Sequence, residues 1–411
     1  MKKTNLVLAS VGLAVLSRGA FAAEDLSFVE PALARFAENY KTLLANAARD
    51  GTPEALWPKT FKDGKLVFCK DWDWCSGFFQ GSLWYLYEAT GEASWRAAAE
   101  RYTEAQAHIR TSNLHHDLGF MFLPSAGNAY RLTGDRKYAG WLYDAARTLC
   151  TRWRPRCQSI QAFGVWDGHW KEHSTLIVDC MLNLELFAWA GTHPCEGWEG
   201  QPRDWVEGGV FLDMASAHAD TTIRHLIRPD GSSWHMALLD FKTGELVKHL
   251  PRQGVGHWSR GHSWLVYGFP MLYSYMKEPR YLDAAIKVAD YALTAKDVPA
   301  DRVPYWDYEA PNIPNEERDT SAAATLGCGF LRLSNICPDP AKAARYRAEA
   351  IKLAASLSSD AYFARPDEIG GFVLKHAVGS KPDGAEIDVP LNHGDYYYLE
   401  LLLQLRKEIG K

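Results

Sequence analysis

Long apolar runs are nearly missing from this 411-residue chain. The one stretch of that kind, Leu6 to Leu16, is too short to span a bilayer. It follows Met1-Lys2-Lys3 and leads to Ala20-Phe21-Ala22, so it reads as a signal peptide with an A-x-A cleavage site, and residues 1–22 are set apart from the fold. No Lys/Arg run occurs, and the formal net charge is −5, which argues against a nucleic-acid partner or an anionic membrane surface. C-x-x-C is absent too, which disfavours a zinc ribbon or a thioredoxin-like site. The eight cysteines fall at short separations: Cys69 and Cys75, Cys150 and Cys157, Cys180 and Cys195, Cys328 and Cys337. Export would permit disulfides, but several of these cysteines lie in apolar helical segments where a small buried thiol fits equally well, and the sequence assigns no pairs.

Strand-like alternation is almost absent, whereas apolar residues recur at three- and four-residue spacing in about twelve segments. The spacing predicts helices over 27–48, 76–90, 93–111, 119–132, 135–152, 175–190, 203–227, 260–276, 279–295, 319–335, 341–358 and 394–408. A weak repeat runs through them: a helix stops at Gly or Pro, an aromatic follows (Trp95, Tyr138, Tyr281, Tyr346), and an alanine-rich amphipathic helix begins. The intervening helices, such as "GFFQGSLWYLYEA" and "RGHSWLVYGFPMLYSY", are apolar nearly all round and belong inside. An outer amphipathic set alternating with an inner apolar set predicts an all-α fold, six hairpins closed into an (α/α)6 barrel, with residues 23–411 as a single domain. An open α-solenoid is the alternative, but it would show a more regular period.

The longer insertions, 53–75, 154–174, 229–259, 300–318 and 361–393, precede inner helices and carry most of the tryptophans. If the inner helices begin at one end, these loops rim one aromatic-lined mouth suited to sugar rings. Two acids interrupt apolar segments: Asp117 in "LHHDLGFMF" and Asp179 in "TLIVDCMLNLEL". A buried carboxylate needs a partner, a helix to cap or a task, and two at one end of a barrel suggest paired-carboxylate sugar chemistry. A rival signal, "HWKEH" at 169–173, matches a zinc-protease pattern, but it lies in a Trp/Gly-rich loop and not on a helix.

The chain resembles the unsaturated glucuronyl hydrolases, glycoside hydrolase family 88. The likeness covers nearly the whole mature chain and rests on "DWCSGFFQGSLWYLYEATG", "HHDLGFMF", "SIQAFG", "LIVDCMLNLELFAWAG", "DGSSWH", "WSRGHSWLVYGF", "PYWDYEAP", "RDTSAAA" and "GDYYYLELLL". It implies an (α/α)6 barrel and an exo-acting hydrolase of lyase-generated oligosaccharides, glycosaminoglycan disaccharides among them, whose non-reducing uronate carries a C4=C5 double bond. The double bond is protonated at C4 and hydrated at C5; the anomeric carbon is not attacked.

Carried over by motif, Asp179 is the proton donor and water-activating group, and Asp117 is the second essential acid, tuning Asp179 by like-charge repulsion. His116 is a neighbouring contact. Trp74 stacks on the sugar, Phe163 and Trp258 are walls, and His235, Gln253 and Arg260 contact the uronate and the reaction centre; Trp264 belongs to the core. Phe163 stands where the family pattern has Trp. The loop containing Ser380 and Lys381 departs from the pattern as well; it reads as a sulfate contact or a solvated turn. The resemblance implies no cofactor and no metal. The partner is an unsaturated uronyl oligosaccharide and the location the periplasm. An unsaturated rhamnogalacturonyl hydrolase, or a sugar-binding α-toroid without activity, would share this outline.

Overall fold

The structure, a computed structural model, describes residues 25–162, 172–193, 205–250 and 256–410. Residues 1–22, the expected signal peptide, lie outside them. Among the described residues thirteen α-helical segments follow one another: α1 (Val29–Asp50), α2 (Phe78–Thr90), α3 (Ala93–Ala105), α4 (Leu118–Phe122), α5 (Asn128–Thr133), α6 (Arg136–Cys150), α7 (Cys180–Thr192), α8 (Trp205–Leu226), α9 (Ser259–Met276), α10 (Pro279–Thr294), α11 (Thr320–Ser334), α12 (Pro340–Leu357) and α13 (Asn392–Glu408). α4 and α5 make one inner helix, interrupted by a π-helical turn, Leu123–Gly127, that contains Pro124. Proline removes a backbone donor from the ladder, and the wider turn absorbs the break.

The repeat seen in the sequence has a direct structural counterpart. Gly91 and Gly134 end α2 and α5 in the left-handed conformation, with φ of 73° and 70°, which costs a glycine nothing. The aromatics Trp95, Tyr138, Tyr281 and Tyr346 all enter the core. Asp135, Asp319 and Asp339 cap the helices that follow them through their side chains.

The inner segments pack in a closed ring: α2 against α5, α4 against α7, then α7, α9, α11 and α13 in turn, and α13 back onto α2. Contact between the last helix and the second is what an open solenoid lacks. A Cβ on Gly329 would come within 2.6 Å of the Val266 carbonyl oxygen, so glycine lets α11 lie this close to α9.

Among the described residues nine short strands lie in the insertions. Hairpins pair β1 (Trp57–Lys62) with β2 (Lys65–Cys69), β3 (Trp153–Arg154) with β4 (Ser159–Ile160), and β8 (Ala377–Ser380) with β9 (Ala385–Val389). β5 (His173–Ile177), β6 (Met236–Asp240) and β7 (Leu246–Leu250) form an antiparallel sheet in that order. β5 corrects the helix predicted over 175–190. Thr175, Leu176 and Ile177 pair with Leu238, Ala237 and Met236, a β-branched and apolar run better suited to a pleated surface, and the helix begins only at Cys180. His173 pairs with Asp240 in that sheet, so "HWKEH" forms no metal-binding helix; His169 lies outside the described residues.

The inner helices begin at one end. Asn392, the first residue of α13, donates to the carbonyls of Pro58 and Cys75 ahead of α2, both at 3.0 Å. Arg260, second in α9, reaches Asp319 at the cap of α11. Asn183 in α7 reaches Asp117 ahead of α4. Neither Cys69 and Cys75 nor Cys328 and Cys337 are bridged, and Cys157 and Cys180 are also thiols; Cys195 lies outside the described residues.

Candidate active site

Asp117 and Asp179 each occupy the residue before an inner helix, yet neither side chain caps its helix. Asp117 is buried, and its Oδ1 accepts from Asn183 Nδ2 at 3.3 Å, with His116 Nε2 3.2 Å away and His115 Nδ1 3.9 Å from Oδ2. The same Asn183 Nδ2 approaches the Asp179 carbonyl at 3.5 Å, while Asn183 Oδ1 accepts from the backbone N–H of Phe120 at 3.0 Å. One amide side chain thus ties together both acid-bearing helix starts. Sequence reasoning missed Asn183, although its four-residue spacing from Asp179 puts both on one helix face.

Gly119 makes this joint possible. A Cβ there would lie 2.5 Å from the Asn183 Cα, against backbone that cannot give way. Gly119→Ala is expected to lower turnover about a hundredfold by displacing Asp117, since a shift of about 1 Å costs that much. Steady-state kinetics with a circular-dichroism check on folding would measure it; unchanged kinetics would mean that this joint does not position the acid.

Burial pushes the Asp117 carboxyl up to about 6; His115, the Asn183 hydrogen bond and Arg152 oppose the rise, and Asp73 adds to it. Burial, with Arg152 and His115 nearby, holds His116 well below its usual range, so it is neutral at pH 7. Arg152 is buried behind both and donates to three carbonyls, those of Asn113 at 2.8 Å, Gln161 at 2.9 Å and Ala162 at 3.0 Å. Burial lowers its guanidinium to about 10, which leaves it a fixed cation at neutral pH.

Asp179 is the more open acid, its side chain 21% accessible against 10% for Asp117, and its Oδ2 lies 3.7 Å from His235 Nδ1. The carboxylate whose repulsion adds to the rise at Asp117 is Asp73.

His235 meets Trp258 edge-on at 4.8 Å. Trp74 packs against His393 at 4.9 Å and Phe120 at 5.5 Å. His393, a residue the sequence analysis did not single out, is buried under Trp74, and desolvation with Arg260 and Lys59 nearby holds it well below its usual range. Trp264 is in the core, as expected. Phe163 and Gln253 lie outside the described residues. Arg260 sits beside the site and donates to protein groups: Nη1 to Asp319 Oδ2 at 3.3 Å, Ser321 Oγ at 3.4 Å and the Val378 carbonyl, and Nη2 to the Gly379 carbonyl at 2.6 Å. With Asp319 itself buried, these bonds let Arg260 fasten β8 to the barrel.

Ser380 donates to Asp383 at 2.7 Å, and Lys381 is paired with Glu317 and, at 3.6 Å, with Glu316, so neither stands ready for a sulfate. Among the described residues, Cys69, Asp73 and Cys75 are close enough together to share an ion, but the Lys59 ammonium lies 3.4 Å from Asp73 and disfavours a second cation there.

The site thus offers two carboxyl groups of unequal burial, neutral and aromatic neighbours, and six helix N-termini whose partial positive charge suits an anion. No protein-family model matches the chain. An unsaturated glucuronyl hydrolase of Bacillus sp. (strain GL1) is 33% identical over 356 residues, 84% of this chain and 89% of that protein. An unsaturated chondroitin disaccharide hydrolase of Streptococcus pyogenes serotype M1 is 32% identical, with 84% of each chain covered. The crystal structure of an unsaturated glucuronyl hydrolase specific for heparin superposes with a TM-score of 0.84 at 33% identity, covering 94% of this chain and 98% of that one. On this similarity, and on a closed ring of inner helices that presents both acids at one mouth, the chain belongs to the unsaturated glucuronyl hydrolases, glycoside hydrolases built as (α/α)6 barrels.

Proposed function

We propose that this protein removes the C4=C5 unsaturated glucuronyl residue from the non-reducing end of lyase-generated oligosaccharides, with glycosaminoglycan disaccharides as the substrate class. The observation that carries the reading is the pair of carboxyl groups at adjacent helix starts, joined through Asn183 and unequal in exposure. Asp179, the open one, delivers a proton to C4 and takes one from the water that adds at C5. The hemiketal so formed opens to a C5 ketone, and the C1 hemiacetal it leaves behind expels the sugar alcohol. Asp117, behind it, hydrogen-bonds the ring and shares the proton inventory of the pocket. The uronate carboxylate faces the helix N-termini, and Trp74 and Trp258 supply apolar faces. Each step uses protons and water alone, so the reading needs neither metal nor nucleotide. Relatives named for heparin and for chondroitin disaccharides support the substrate class. The A-x-A pattern at residues 20–22 supports a periplasmic location.

A panel of unsaturated disaccharides tests this by ultraviolet absorbance. Wild type should bleach the conjugated uronate in step with release of the reducing sugar, and Asp179→Asn should do neither. Sugar release with the absorbance intact would make Asp117 and Asp179 an ordinary acid and base pair. Bleaching confined to galacturonyl-rhamnose would favour the pectin-fragment alternative.

A further inference from the structure

The barrel has a second opening. At the end opposite Asp117 and Asp179, the later turns of α2, α5, α7, α9 and α11 surround a cavity of about 330 Å³. Its floor is Phe120, Tyr396 and Tyr397, and Phe120 is also the ring that packs beneath Trp74, so one aromatic layer separates the cavity from the candidate active site. The walls carry the aromatic faces of Tyr130, Trp189 and Tyr275 with the polar groups of Asn128, Glu185 and Arg332. The π turn at Leu123–Gly127 borders it, and such turns are enriched where helices are reshaped for binding.

The polar groups are unevenly satisfied. Arg332 Nη2 reaches Glu400 at 2.7 Å and the Tyr267 hydroxyl at 2.8 Å, but its Nε is buried with no hydrogen-bond partner. Glu185 has the Tyr275 hydroxyl at 3.4 Å, a long contact for a carboxyl group that burial, with Glu400 nearby, raises above its ordinary range. Arg131 at the rim is matched by Glu88 at 2.6 Å. Charge complementarity narrows the ligand. An anion would meet Glu185, Glu400 and the negative ends of the helices, and an ammonium group would meet Arg332 and Arg131. A neutral polyol meets both halves, because each hydroxyl can donate to Glu185 and accept from Arg332 while ring C–H faces lie on the aromatics. The volume is at the small end of ligand pockets, so it suits one or two sugar rings.

We infer that this far mouth is a binding site for a neutral mono- or disaccharide, separate from the candidate active site. The inference is independent of the proposed hydrolysis, because its readout is binding. The probes are N-acetylgalactosamine and glucose, with glucuronate and choline as charged controls, followed by ligand-observed NMR on Asp179→Asn protein saturated with an unsaturated disaccharide. A neutral sugar should still bind under saturation, and a crystal soak should place it beside Glu185. Glu185→Gln keeps the side chain's size and should weaken binding about tenfold, the worth of a hydrogen bond to a charged group; Tyr275→Phe should weaken it less, and neither should change disaccharide turnover. Displacement by the disaccharide, preference for glucuronate or choline, or no sugar at the far mouth would overturn the assignment.

Discussion

Asp117→Asn is expected to leave the protein more stable and nearly inactive. Burial lifts the Asp117 carboxyl to about 6, against about 3.9 for an aspartate in an unfolded chain. Between roughly pH 4 and 6 the folded protein holds a proton that the unfolded chain has released, so stability falls as pH rises through this window and levels off above it. The whole effect is at most about 3 kcal/mol, the two-unit difference converted at about 1.4 kcal/mol per unit. Asparagine never ionises. It should therefore gain up to that amount on wild type above pH 6 and lose the advantage below pH 4, while the Asn183 hydrogen bond can still form to its amide oxygen. Turnover should fall by about 10²- to 10⁴-fold, the usual worth of a positioned proton-transfer group. Denaturant titrations at pH 4 and pH 8 with kinetics at pH 7 measure both effects. Equal stability at pH 8 would show that the carboxyl is not desolvated, and retained turnover would remove Asp117 from the chemistry.

Arg260→Ala should act in the opposite sense on stability. The guanidinium is buried among Asp319, Ser321 and the carbonyls of Val378 and Gly379, and Asp319 is fully buried at the cap of α11. Removing the cation leaves a buried carboxylate and two carbonyls without it, a loss of about 3–5 kcal/mol. Chemical denaturation should show a lowered midpoint with an unchanged slope. Arg260→Lys should recover only part, since one ammonium cannot span both sides of a planar fork. Wild-type stability with a raised KM would show that Arg260 acts on the uronate and does not hold β8.

Much of the barrel was legible in the sequence because its signals are local. Helical periodicity, the glycine stops at Gly91 and Gly134, and the junction aromatics act within one turn of the chain, and they fix the order of inner and outer helices. The strand β5 was not, since "STLIV" reads as buried helix or buried strand by pattern alone, and its partner Ala237 lies sixty residues on. At the site, Asp117 and Asp179 stood out as acids in apolar surroundings, and the structure places both at one mouth. Asn183, His393 and Arg152 carry no such contrast; each acquires its place from distant segments, as when Arg152 collects carbonyls from residues 113, 161 and 162. The protein partners of Arg260 were not legible for the same reason, because a resemblance transfers a residue but not the neighbours its donors meet.

The central claim is that the double bond, and not the anomeric carbon, is what reacts. Running the reaction in D2O and following the freed uronate by NMR during the first turnovers tests it most directly. Protonation by Asp179 predicts one deuterium at C4, on a single face, in every molecule of released product. Sugar release with C4 unlabelled and the C4=C5 bond intact would contradict the account.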